Sequence, residues 1–88
     1  MPKIDRKEIE RKVKEILVKE LGVKIENITS EKRLIEDLGM DSFTAIELMF
    51  ELEDGMGIEI PEKETLKLVI VKDVIDYIIS RLSEKESG

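Results

Sequence analysis

Apolar residues recur at helical spacing in three stretches of this chain. Ile9, Val13, Ile16, Leu17 and Leu21 make one stripe, which predicts a helix from about Arg6 to Leu21. Asp5 followed by Glu8 has the spacing of a capping box at its start, and Gly22 is placed to stop it. Ala45, Leu48, Met49, Leu52 and Met56 make a second stripe. They predict a helix from about Ser42 to Asp54 or Met56, loosened or ended by Gly55 and Gly57. Val74, Ile75, Ile78, Ile79 and Leu82 make a third, over about Lys72 to Leu82, with Ser83 to Gly88 as a frayed polar tail. Pro61 suits the first position of a short helix reaching about Leu66. Residues 23–41 form a long connection through which Ile25, Ile28, Leu34, Ile35 and Leu38 are scattered. A connection of this length counts against a compact fold unless its own apolar side chains join the core. The one strand candidate, Ile58-Glu59-Ile60, is too short to build a sheet. The prediction is an all-α, small antiparallel four-helix bundle with three main helices, a short third helix and a long first loop.

The second helix carries more than one apolar face. At about 100° per residue, Phe43, Ile46 and Phe50 fall almost opposite the core stripe. Glu47, Glu51 and Asp54 lie beside them, and Glu53 lies on the other flank. A helix that packed one face alone would not need this second patch. Ile46 and Phe50, rimmed by carboxylates, are expected to dock a partner. Phe43 suits that surface or a place in the core equally well.

Composition narrows the chemistry. The chain has 88 residues, which fits a single domain over 1–88, with an ordered core over about 5–82. It has no cysteine and no histidine. That removes a disulfide framework and the usual zinc ligand sets. The longest apolar run, Leu68 to Val71, is too short to span a bilayer, and the N-terminus lacks the apolar stretch of a signal peptide. A cytoplasmic monomer is the expectation. The net charge is −6, and its distribution is uneven. Residues 35–64 hold ten Asp and Glu against the single base Lys63, whereas residues 1–34 are net basic. Such a segment repels nucleic-acid phosphates and anionic membranes and attracts a partner with a basic patch.

Asp41-Ser42 sits at the start of the second helix, just after Gly39. Ser and Asp are common helix caps, so the pair alone says little. A catalytic serine needs a base beside it. The chain offers no histidine, and no lysine lies between Arg33 and Lys63. Paired carboxylates for glycoside chemistry would need a cleft that a chain of this size has little room for. A helix N-terminus does provide a favourable field for an anionic group attached to the serine. These residues suit a serine that carries a group rather than one that attacks a substrate.

Glu36-Asp37-Leu38-Gly39-Met40-Asp41-Ser42 resembles the signature of acyl carrier proteins. Ala45-Ile46-Glu47-Leu48, Leu52-Glu53, Ile58-Glu59-Ile60-Pro61 and Val74-Ile75-Asp76-Tyr77-Ile78 extend the likeness over roughly residues 5–82. The resemblance implies that Ser42 receives 4′-phosphopantetheine from coenzyme A through a carrier-protein synthase using Mg²⁺. Asp41 would assist that attachment, and the arm would hold acyl groups as thioesters. The implied partners are the synthase and acyl-transferring enzymes of fatty-acid synthesis with basic docking patches, and the chain itself would not be an enzyme. The docking face would be Phe43, Ile46, Glu47, Phe50, Glu51 and Asp54. Leu48, Met49, Leu68, Val69 and Ile75 are candidates for plain core or for lining a space for the cargo.

Four residues depart from the pattern: Phe43 for the usual Leu, Thr44 for a common acidic residue, a bulky Phe50, and Ile70 where a Thr often caps the last helix. Asp-Ser-Phe also resembles D-alanyl carriers, and stand-alone aminoacyl or polyketide carriers look similar. An unmodified acidic interaction module is the alternative of a different class.

Overall fold

The computed structural model describes residues 5–87, with side chains through Glu84. The elements are α1 (Arg6–Leu21), a 3-10 turn (Ile25–Asn27), α2 (Ser42–Met56), α3 (Glu62–Thr65) and α4 (Val71–Ser87). No strand occurs among the described residues; one isolated bridge joins Arg33 to Ile70. The all-α four-helix bundle is therefore the observed architecture. Lys19 meets Glu51 while Ile16 lies against Gly55, so α1 and α2 run in opposite directions.

The predicted helix ends hold at α1. Asp5 caps it, accepting from the Lys7 N–H, and Gly22 closes it at a φ of 69°. Glu8 does not return the capping-box bond but lies 3.6 Å from Arg11. At α2, Gly55 stays inside the helix and Gly57 ends it with a φ of 68°. Pro61 stands one place before α3 rather than inside it. The frayed tail is corrected: α4 continues to Ser87, and Gly88 lies outside the described residues. Arg81 and Glu84, 3.4 Å apart on successive turns, favour that extension.

One core joins the three long helices to residues of the connections between them. Ile9, Val13 and Leu17 of α1 meet Leu48, Met49 and Leu52 of α2 and Val71, Val74, Ile75 and Ile78 of α4. The long connection adds Ile28, Leu34, Leu38 and Met40, while Ile25 and Ile35 stay exposed. Ile58 and Ile60 are buried as an extended strap rather than a strand. The Glu53 carboxylate accepts from the Ile60 N–H at 2.7 Å, and the Tyr77 hydroxyl donates to the Glu59 carbonyl at 3.1 Å. No polar or charged residue among those described is buried.

The start of α4 explains how a chain with Ile70 in the cap position manages without Thr. Isoleucine offers no acceptor, yet the first N–H groups of a helix need partners. Val71 and Lys72 donate theirs to the carbonyls of Lys32 and Ser30, at 3.0 and 2.9 Å. The Asp73 carboxylate takes the N–H groups of Val69 and Ile70. The Leu34 N–H donates to the Val69 carbonyl at 2.9 Å. These bonds fasten the long connection to α4 and fix the path leading to α2.

Asp76 on α4 lies 2.9 Å from Arg6 and 2.6 Å from Lys72. The hydrogen bond from Lys72, then that from Arg6, hold its carboxyl below the ordinary value. The unfolded chain therefore takes up this proton first as pH falls. The stability from these pairs is full above the ordinary carboxylate range, about pH 4, and is lost as pH falls through the lower folded value. Thermal melts of wild type and Asp76→Asn from about pH 6 to about pH 3 should converge at the acid end. A constant offset across that range would mean the ion pairs add nothing to folding.

Candidate functional site

Each residue of the Glu36–Ser42 signature has a task in the structure. Glu36 accepts two hydrogen bonds from the Arg33 guanidinium, at 3.2 and 3.0 Å. The Asp37 carboxylate accepts from the Arg33 backbone N–H at 2.8 Å. Leu38 and Met40 are buried and anchor the segment. Gly39 between them has a φ of 77°, a left-handed conformation that a side chain would strain. Its N–H and that of Met40 close back on Ile35 and Leu34. Asp41 is then the N-cap of α2, in extended conformation. Ser42 is the first helical residue and is exposed.

The signature thus works as a scaffold. Two anchors and one left-handed glycine aim the chain into α2, and the serine is left outside the core. Its hydroxyl makes no hydrogen bond among the described residues, and it stands at the positive end of a 15-residue helix. That end suits a serine-linked phosphodiester, because the N–H groups of a first turn have no intrahelical acceptors.

Asp41 is engaged in the cap. Its Oδ1 accepts from the Thr44 N–H at 2.9 Å, and its own N–H donates to Thr44 Oγ1 at 2.9 Å. The backbone and hydroxyl hydrogen bonds from Thr44 lower its pKa. Thr44, a departure from the pattern by sequence, turns out to complete a reciprocal capping box in which a hydroxyl does the work usual for Glu or Gln.

The two predicted faces of α2 separate as expected. Leu48, Met49 and Leu52 are buried and Ala45 and Met56 partly so, while Phe43, Ile46 and Phe50 are 68, 56 and 65 % exposed. Phe43 therefore joins the surface and not the core. Glu47 and Asp54 form no ion pair with any described residue, whereas Glu51 lies 3.2 Å from Lys19 of α1. Glu53 is drawn away by its bond to Ile60. The carboxylates beside the apolar patch are thus not equivalent, and Glu51 is already tied to the fold.

Leu66, after α3, is 82 % exposed and adds a residue to this surface that the periodicity of α2 does not reveal. It lines a groove of about 230 Å³ together with Ala45, Ile46, Met49, Phe50 and Ile60 and the acidic Glu53 and Glu62. The sequence marks Leu66 only as the end of a short helix. Of the residues proposed to line a cargo space, Met49 lines this groove. Leu48, Leu68 and Ile75 are core, and Val69 is corrected to a half-exposed surface residue.

Among the described residues no cluster suits a metal ion, and no helix is long and apolar enough to cross a membrane. The family model described as the phosphopantetheine attachment site matches residues 11–78. The match runs from the middle of α1 into α4 and includes the whole of α2 and the segment leading to it. The chain therefore belongs to the phosphopantetheine-attachment-site family of carrier proteins, which hold 4′-phosphopantetheine covalently.

Proposed function

We propose that Ser42 is the attachment residue and that the chain carries acyl groups as thioesters between enzymes of fatty-acid or related synthesis. One observation carries this reading. Ser42 is an exposed hydroxyl at the N-terminus of α2, held out of the core by buried Leu38 and Met40 and by the Asp41 cap. When attached, the arm supplies the thiol that forms the thioester. The protein's own residues orient the serine, place the helix end beside the phosphodiester and present a surface to partners. Asp41 assists the attachment in the complex with the synthase. The absence of histidine and cysteine from the sequence supports a carrier with no activity of its own. A cytoplasmic monomer is the simplest form of such a shuttle.

Partners dock on the outer face of α2. Phe43, Ile46 and Phe50 supply apolar contact, and Leu66 extends that area across the groove. Glu47 and Asp54, with Glu51 beside them, draw a basic patch toward it. Mass spectrometry of the protein from its native source tests the cargo. An acyl thioester of fatty-acid type supports the reading. A D-alanyl, other aminoacyl or polyketide group would reassign the pathway, and unmodified protein from active cells would favour a plain interaction module.

The docking face has its own test. Charge steering acts mainly on association and weakens with salt, whereas apolar anchors mainly slow dissociation. Glu47→Lys should lower the rate of modification by the synthase most at low ionic strength. Phe50→Ala should weaken binding with little change in salt dependence. One exposed charge is worth about 1 kcal/mol or less, so Glu47→Lys combined with Asp54→Lys gives the clearer signal. Synthase kinetics like wild type for all these folded variants would place docking elsewhere.

A further inference from the structure

Serine is itself a preferred helix cap. At the start of α2 two residues compete for that role, Asp41 and Ser42. If the helix began one residue later, Ser42 would be the cap, and its oxygen would turn inward to accept an N–H of the first turn. In the structure Asp41 holds the cap, and the bonds that keep it there come from Thr44. The Thr44 hydroxyl accepts from the Asp41 N–H at 2.9 Å and lies 2.8 Å from Asp41 Oδ1, to which it donates. The Thr44 N–H donates to the same Oδ1 at 2.9 Å. Ala45 closes the first helical bond onto the Asp41 carbonyl at 2.8 Å.

In this arrangement the side chain at position 44 accepts and donates at once. A hydroxyl does both. A carboxylate at position 44 would accept from the Asp41 N–H but would face the Asp41 carboxylate with like charge. A valine keeps the shape and the backbone N–H but offers neither function.

We infer that Thr44 is a positioning residue for group transfer at Ser42: it locks the start of α2 at Asp41 and so keeps the serine hydroxyl out of the cap. The inference rests on the reading of Ser42 as the attachment residue. In the transfer, Ser42 Oγ forms a bond to the pantetheine-bearing phosphorus of coenzyme A. The bond from that phosphorus to the bridging oxygen breaks, the adenosine bisphosphate half leaves with the electron pair, and the hydroxyl proton passes to a base of the synthase. An oxygen already accepting a bond within its own helix is turned away from this attack, so a slipped start lowers the productive fraction and leaves docking intact.

The experiment compares wild type, Thr44→Val and Thr44→Ser as substrates of a broad-range carrier-protein synthase with coenzyme A and Mg²⁺. Rates are followed over carrier concentration, below the lowest melting temperature of the three. Thr44→Val is expected to lower kcat about fivefold with KM changed less than about twofold, and Thr44→Ser to restore kcat. Recovery by serine ties the effect to the hydroxyl, which serine restores while lacking the methyl group. Wild-type kcat in Thr44→Val, a loss confined to KM, or a Thr44→Ser variant as slow as Thr44→Val would each overturn the lock. Amide hydrogen exchange on the wild-type protein tests the same point without substitution. The Asp41 N–H should be protected, and exchange at the rate of a free amide would overturn the lock even if Thr44→Val did not fold. Wild type that takes no label at Ser42 removes the attachment reading, and this inference falls with it. A labelled wild type beside an unaffected Thr44→Val removes the inference alone.

Discussion

Ser42→Ala is expected to abolish attachment of phosphopantetheine while leaving the helical circular dichroism of the protein unchanged. Both halves of the expectation come from geometry. Ser42 is exposed, and its hydroxyl bonds to no described residue, so the fold loses nothing with the oxygen. The cap of α2 belongs to Asp41 and Thr44, which the substitution does not touch. Alanine is a good helix former at the first helical position. The check is intact mass after incubation with coenzyme A, Mg²⁺ and synthase, beside a melting curve. Arm attachment to the alanine variant at any other residue would refute the assignment of Ser42.

Leu34→Ala should be among the most destabilising single substitutions in the chain, and its neighbour Ile35→Ala nearly silent. By sequence the two look alike: adjacent, aliphatic, and in a connection between helices. In the structure Leu34 is 0 % exposed and Ile35 is 65 % exposed. Truncating a buried leucine removes its transfer free energy and leaves a cavity, together costing about 2–5 kcal/mol. That is a large part of the total stability of a small domain, about 5–15 kcal/mol. Leu34 also sits where the connection is stitched to the segment just before α4, through its N–H to the Val69 carbonyl. Loss of its side chain should therefore loosen the approach to α2 as well. Ile35→Ala is expected to fall within about 0.5 kcal/mol of wild type, the usual range for exposed positions. Chemical denaturation of both variants measures the contrast. Equal effects would mean that the long connection does not pack as a defined part of the core.

The helices themselves were legible residue by residue. The stripe from Ile9 to Leu21, with Asp5 before it and Gly22 after it, fixed both ends of α1. The 3.6-residue period likewise divided α2 into a buried face at Leu48, Met49 and Leu52 and an exposed one at Phe43, Ile46 and Phe50. The candidate serine was legible as well, because a motif is carried by neighbours along the chain. Thr44 was visible only as an unusual residue, since its meaning lies in two reciprocal bonds to Asp41.

The long connection was legible only in part. Ile25, Ile28, Leu34, Ile35 and Leu38 all stood out as apolar, yet three of them are buried and two exposed. An irregular backbone has no period, so spacing does not tell which side faces the core. The end of α4 is hidden in the sequence because the polar run Ser83-Glu84-Lys85-Glu86-Ser87 continues no apolar stripe.

By itself, then, the sequence determined what depends on near neighbours: the helix stripes, the caps at Asp5 and Gly22, the turn at Gly39, and a serine at a helix start. Only the tertiary structure decided which groups meet across the chain. It turned Leu34 inward and Ile35 outward, gave Glu51 to Lys19 and Glu53 to the Ile60 N–H, and left Glu47 on the outer face with no ion pair among the described residues. It satisfied the start of α4 with the carbonyls of Ser30 and Lys32, and brought Leu66 and Phe50 to one groove. The physical reason is range. Backbone periodicity and capping act over three or four residues, whereas burial and charge pairing are set by packed neighbours far apart in sequence.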